Sequence, residues 1–185
     1  QLHFILFSAE AVGQALHPFP GFLTSVCQLR PQSRGFVRIR SSDPAAPPAI
    51  QPRYLSAPAD REVLVAGMKL LRKIMAAPAI ARYIAEEINP GPQCTSEADL
   101  LAYARDKGTT VFHQTSTCRM GSDGKAVVDE TLRVKGFDRL RVIDASIMPT
   151  VVSGNTNAAA IMVAEKGADM ILKGTPAQRT MDSAA

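Results

Sequence analysis

Val111-Phe112-His113-Gln114-Thr115-Ser116-Thr117-Cys118-Arg119-Met120-Gly121 decides how this chain is read, together with Leu140-Arg141-Val142-Ile143-Asp144-Ala145-Ser146 and Ser153-Gly154-Asn155-Thr156-Asn157-Ala158. The compact apolar run at 140–143 predicts a buried strand, and Pro149 bars a helix directly after it. Residues 158–172 predict a helix, with Ile161, Ala164, Ala168 and Ile171 on one face. Glu165, Lys166, Asp169 and Lys173 fall on another face, and Gly174 and Pro176 stop the helix. The chain thus closes as strand, loop and helix, with Asn155 just before the helix N-terminus and one histidine upstream.

Working outward, residues 2–7 and 22–29 are short apolar runs that predict strands, separated by His17-Pro18-Phe19-Pro20-Gly21. Phe36-Val37-Arg38-Ile39-Arg40 alternates apolar and basic residues, as a strand with one wet face does. The proline-rich stretch 41–58 predicts an extended connector. Leu64, Met68, Leu71 and Met75 then fall on one face of a helix that begins near Asp60. A second helix is expected over 79–88, ended by Asn89-Pro90-Gly91-Pro92. Ser96 with Asp99 has capping-box spacing for a third helix, and Gly108 ends it. Short strands are expected at 127–129 and 132–134. Strands first, helices next and a strand–loop–helix last predict an α+β fold, an antiparallel sheet with helices packed on one face. The expected divisions are 1–110, 111–173 and a frayed tail at 174–185.

Composition narrows the function. The chain has 185 residues, 46% of them hydrophobic, with a formal net charge of +4. That suits one domain or slightly more, with enough chain for a core. The basic residues are scattered; Arg30, Arg34, Arg38 and Arg40 lack the aromatic interleaving of a nucleic-acid platform. Cys27, Cys94 and Cys118 make an odd set without CxxC spacing, against a disulfide framework or a zinc site. Reduced thiols in the cytoplasm are the default expectation, and no metal is expected. The apolar start has no basic flank or small-residue cleavage site, so no signal peptide is expected. No run is long enough to cross a bilayer. The chain begins at Gln1, inside an expected strand, and so reads as a piece of a longer chain.

His113 and Asn155 form a kit for oxidising an alcohol on a bound cofactor. The hydroxyl proton must leave, and an imidazole, with an unperturbed pKa of about 6.5, suits that step. An amide donor steadies the developing oxyanion. No side chain takes up a hydride, so a cofactor must. Backbone N–H groups at the helix start favour negative charge, such as a reduced flavin gains. By spacing alone, however, a lone histidine is more often structural, and Asn155 and Asn157 read equally as N-caps.

The motifs together resemble those of the glucose–methanol–choline (GMC) oxidoreductases. The run 113–121 is similar to that family's His-Pro/Gln-x-Gly-Thr-Cys-Arg-Met-Gly signature. Residues 140–149, 153–158 and 165–171 continue the resemblance in the same order. Leu29-Arg30-Pro31-Gln32-Ser33-Arg34-Gly35 and the stretch from Asp43-Pro44 to Tyr54-Leu55 resemble its substrate-binding domain. The resemblance implies an FAD-dependent alcohol oxidase or dehydrogenase, with His113 as base and Asn155 at the second catalytic position. It also implies that Asp144 and Ala145 lie beside the ribityl–pyrophosphate, and that the turn of Thr156 and Asn157 meets the flavin pyrimidine edge. Phe112 would line the substrate pocket.

Two departures from the family accompany the match. Gly usually stands where Ser116 does, and often Pro where Gln114 does, so Ser116 needs a backbone angle that a Cβ tolerates. The family's Gly-x-Gly-x-x-Gly dinucleotide loop is absent from this sequence. The implied picture is a C-terminal fragment whose last strand, loop and helix complete an FAD-binding domain missing from this chain. The partners expected are an alcohol, the N-terminal FAD-binding half (on the same or a separate chain), and neither nucleic acid nor a membrane span. Self-association, the identity of the alcohol, and oxidase against dehydrogenase all stay open. The alternative reading is a non-catalytic binding module, or a partner subunit without its own cofactor. A Gly-x-Ser-x-Gly elbow, the mark of a serine hydrolase, does not occur.

Overall fold

The computed structural model of the chain describes residues 1–10 and 13–173. The helix stop at Gly174 and Pro176 and the expected tail at 174–185 lie outside the described residues. The chain divides into two compact units, Gln1–Val111 and Phe112–Ala185.

In the first unit, β1 (Leu2–Ile5) and β2 (Leu23–Val26) pair antiparallel, with Leu2 opposite Val26 and Ile5 opposite Leu23. Strands β3 (Phe36–Arg38) and β4 (Ala49–Gln51) form a separate antiparallel pair, Phe36 opposite Gln51 and Arg38 opposite Ala49. The architecture is α+β, but the single expected sheet is two two-stranded sheets. The proline-rich connector is also not extended throughout, because β4 lies within it. Its prolines leave 49–51 free of proline, and that stretch satisfies its backbone on β3.

Helix α1 (Pro58–Met75) starts on Pro58, whose fixed φ and missing N–H suit a first turn. It packs on β2 and on α3 (Glu97–Lys107). The predicted apolar face Leu64, Met68, Leu71 and Met75 is half-buried, and Val65 beside it is buried. Val65, Cys94 and Leu100 form the centre of this core, with Met68, Leu101 and Tyr103 packed around it. Leu100 is 1% exposed, a burial that contributes roughly 1.5–3 kcal/mol. The capping box of α3 is complete: Ser96 Oγ accepts the Asp99 N–H at 3.1 Å, and Asp99 accepts the Ser96 N–H at 3.0 Å. Gly108 ends α3 in an extended conformation.

The second helix is shorter than expected. Helix α2 covers only Pro78–Ala81. The chain beyond it is taken by Arg72, whose guanidinium donates to both Glu87 carboxylate oxygens and to the carbonyls of Gly91 and Cys94. A fork with this many donors fixes a loop around itself, and that tertiary demand overrides the helical pattern of 82–88.

The second unit contains little regular structure. The strands expected at 127–129, 132–134 and 140–143 are only isolated bridges: Met120 with Val128, Val128 with Val134, and Arg133 with Arg141. The carboxylate of Asp129 takes the backbone N–H groups of Thr131 and Arg133, which are then not available to a longer ladder. Val128, Leu132, Ile147 and Val163 form the core, with Val142, Ile143 and Met170 packed against it.

Helix α4 (Asn157–Lys173) belongs to this unit. Its buried face differs from the expected one: Val163 and Gly167 face the core, while Ile161 and Ile171 are exposed. Gly167 is the reason, since a Cβ there would lie 2.4 Å from Ile143 Cγ2. The smallest side chain on the helix sets its line of closest approach.

Candidate active site

The site forms where three loops of the second unit are tied together. Ala145–Ile147 is a single 3-10 turn, capped by Asp144, whose carboxylate accepts the Ser146 N–H at 2.7 Å. The motif run lies against this turn: Cys118 N–H donates to Ser146 O at 3.0 Å, and Met120 N–H to Ile147 O at 2.7 Å. Ile147 shares the core with Val163 of α4. The run that carries His113 is thereby fixed to the same core as the helix whose start carries Asn155. Arg119 adds a two-pronged bond to Asp123, at 2.9 and 2.6 Å, and this guanidinium holds the Asp123 carboxyl well below the usual carboxylate range.

His113 and Asn155, 42 positions apart, meet. Asn155 Nδ2 lies 3.0 Å from His113 Nε2, and Thr156 Oγ1 lies 2.9 Å from His113 Nδ1. An amide nitrogen is only a donor, so the Nε2 facing it accepts. His113 is half-buried and Thr156 is 8% exposed.

The backbone on either side of the histidine is unusual. Phe112 has φ 61° and Ser116 φ 76°, both left-handed without being glycine. Such angles cost on the order of 1–3 kcal/mol each and persist where surrounding structure holds them. Ser116 adopts the angle that its place in the motif demands, and Thr115 Oγ1 and Ser116 Oγ are 3.0 Å apart. Phe112 is 70% exposed. Asp144 is exposed, Ala145 lies in the 3-10 turn, and Asn157 opens α4. The first bond of α4, Ala160 N–H to Thr156 O at 2.8 Å, leaves the N–H groups of Asn157, Ala158 and Ala159 ahead of it.

Sequence reasoning passed over the side chain of Thr156 and assigned only its backbone. A threonine directly after the asparagine is the one available signal, and it reads first as an N-cap. Among the described residues, no three His, Cys, Asp or Glu side chains gather as a metal site requires. Cys27, Cys94 and Cys118 are free thiols. No helix among the described residues is long and apolar enough to cross a membrane.

Residues 31–164 match the family described as GMC oxidoreductase. The chain belongs to that family. An alcohol dehydrogenase (acceptor) from Pseudomonas putida is 42% identical over 173 residues, which cover 94% of this chain and 31% of that protein. An oxygen-dependent choline dehydrogenase from Burkholderia cenocepacia (strain HI2424) is 42% identical over 179 residues, 97% of this chain and 32% of that protein. Among solved structures, pyridoxine 4-oxidase from Mesorbium loti superposes with a TM-score of 0.74 at 35% identity, over 80% of this chain and 29% of that one. This GMC chain spans about a third of the length of the curated relatives it matches.

Proposed function

We propose that this chain carries the substrate-binding and catalytic part of an FAD-dependent oxidoreductase that converts an alcohol to an aldehyde or ketone. The observation that carries the reading is the contact of Asn155 Nδ2 with His113 Nε2 at 3.0 Å. It presents an unprotonated ring nitrogen and an amide donor side by side, which is what removal of a hydroxyl proton needs. Membership in a family whose relatives here are alcohol and choline dehydrogenases and oxidases supports the same reaction class.

In this reading His113 Nε2 takes the hydroxyl proton. Without substrate the Asn155 amide lies on Nε2; an incoming hydroxyl takes its place on that lone pair, and the amide N–H turns to the substrate oxygen. Phe112, exposed next to the base, offers an apolar wall. The donor set fits a flavin: Asn157, Ala158 and Ala159 bring N–H groups to a helix start that favours an anionic edge. Asp144, capping with one carboxylate oxygen, keeps the other for a sugar hydroxyl, with Ala145 beside it. Bound FAD supplies the acceptor for the hydride, at flavin N5. The dinucleotide-binding half of the enzyme, on the same or a separate chain, is the implied partner. The three free thiols favour a cytoplasmic setting.

The test is His113→Ala in the FAD-loaded enzyme. Alcohol-driven flavin reduction, followed by absorbance in a stopped-flow cell, should fall on the order of 10²–10⁴-fold while FAD stays bound. Near-normal reduction in that variant would reject His113 as the base.

A further inference from the structure

The reading of His113 as base leaves open what holds its ring in the right protonation state, and Thr156 answers it. A threonine preceding a helix ordinarily turns its hydroxyl to a backbone N–H of the first turn. Here Thr156 gives α4 only its carbonyl, to Ala160 N–H at 2.8 Å, and its hydroxyl faces the imidazole at 2.9 Å. Thr156 is one of the two buried polar or charged residues among those described, the other being Asp60. Its burial fixes the hydroxyl, and β-branching stiffens χ1 further.

The two sides of the ring make one consistent pattern. With the amide in this orientation, Asn155 Nδ2 has hydrogens to give and no lone pair to offer, so Nε2 carries no proton of its own and accepts one of them. The remaining proton then sits on Nδ1, and Thr156 Oγ1 is the acceptor within reach. The opposite tautomer would set an Nε2–H against an N–H of Asn155 and leave Nδ1 facing the hydroxyl. The first of these contacts is donor against donor.

We propose that Thr156 is a positioning residue for His113: its hydroxyl accepts the Nδ1 proton and so holds the ring as the tautomer whose bare Nε2 faces Asn155 and the substrate. This rests on the base reading given above. When Nε2 takes the substrate proton, the Asn155 amide has turned from Nε2 to the substrate oxygen, the Nδ1–H to Thr156 bond persists and no second proton moves.

The experiment records long-range ¹H–¹⁵N spectra of the imidazoles in the wild-type protein, with His113 assigned by the signals lost in His113→Gln. The wild type should show the Nδ1–H tautomer. Thr156→Val, which keeps the shape and removes the acceptor, should give a mixture, and Thr156→Ser should restore the wild-type pattern. In the FAD-loaded enzyme Thr156→Val should lower kcat on the order of ten- to a hundred-fold, with KM little changed, and Thr156→Ser should recover most of the loss. An Nε2–H tautomer in the wild type overturns the proposal, whatever the variants do. So does a tautomer unmoved in Thr156→Val. Failure of the base reading shows up separately, as retained flavin reduction in His113→Ala, and leaves the tautomer result standing.

Discussion

The two units of this chain are built in opposite ways. Gln1–Val111 is made of strand pairs and helices, one of them closed by a full capping box, whose backbone groups are satisfied by regular ladders and turns. Among its described residues, the unit beginning at Phe112 has one long helix, one 3-10 turn and isolated bridges, yet it holds His113, Asn155 and Thr156 at bonding distance. Among the described residues, non-glycine left-handed ones fall mainly there: Phe112, Ser116, Leu132 and Arg139, against Arg53 and Leu55 in the first unit. Regular elements aim side chains along a few repeating directions. Converging an imidazole, an amide and a hydroxyl on one point requires backbone angles outside those repeats, held by a small tight core.

The first unit's method breaks most sharply at Asp60. This carboxylate, 2% exposed, accepts the N–H groups of Gln32 and Ser33, each at 2.8 Å, and the Ser33 hydroxyl at 2.5 Å. Asp60→Asn replaces one acceptor oxygen with a donor and sets it against a donor of the 32–33 loop. The expected loss is about 2–3 kcal/mol in urea denaturation followed by circular dichroism. Burial pushes the Asp60 carboxyl up, but the bonds from Ser33 and Gln32 outweigh it and hold it below its ordinary value of 3.8. A lowered folded pKa gives stability that is present above the unfolded value and lost as pH falls through the folded one. The wild type should therefore lose stability below about pH 4 more steeply than Asp60→Asn does. Parallel pH curves would show that Asp60 contributes no charged-state bond.

The second unit's method is tested at Gly167. An added Cβ would lie 2.4 Å from Ile143 Cγ2 and 2.9 Å from its Cδ1. Ile143 is β-branched and packed against the core, so it has no easy rotamer to retreat to. Gly167→Ala should cost about 1–3 kcal/mol through overpacking, despite alanine's better helix propensity. The sharper readout is the His113 ring signal, because the helix that moves carries Asn155 and Thr156 at its start. A variant more stable than wild type would mean that the helix and the 142–143 segment do not approach as closely as described.

How far these features were legible in the sequence follows from the range of the interaction that decides each one. The Ser96–Asp99 capping box and the α1 face were readable because three- and four-residue spacings contain their own geometry. Strand β4 was not, because Ala49–Gln51 becomes a strand only by meeting Phe36–Arg38 across a proline-rich loop. The truncation of α2 depends on Arg72, fifteen positions before Glu87. The face of α4 was misread because Gly167 counts as nothing in an apolar pattern and as everything in a close approach. At the site, residue chemistry pairs His113 with Asn155 and the motif resemblance implies their roles, so their convergence is an expectation of the sequence, and the contact at 3.0 Å is where they meet. The Thr156 hydroxyl escaped notice because capping is the commoner use of that residue type in that place.

The smallest effect probes the strained loop itself. Ser116 sits at φ 76°, where an L-residue costs roughly 1–2 kcal/mol. Ser116→Gly removes that cost but adds unfolded-state freedom of roughly 0.5–1 kcal/mol. It also gives up the contact of the hydroxyl with Thr115 Oγ1 at 3.0 Å. These terms nearly cancel, so the expected gain is about 0.5 kcal/mol or less in a denaturation midpoint. Catalysis is the more telling axis. If surrounding structure over-determines the loop, a glycine there leaves the His113 ring signals and the rate of flavin reduction in place. If the serine's restricted angle is what steers the chain into His113, the same glycine broadens those signals and slows reduction, even though the fold is no less stable.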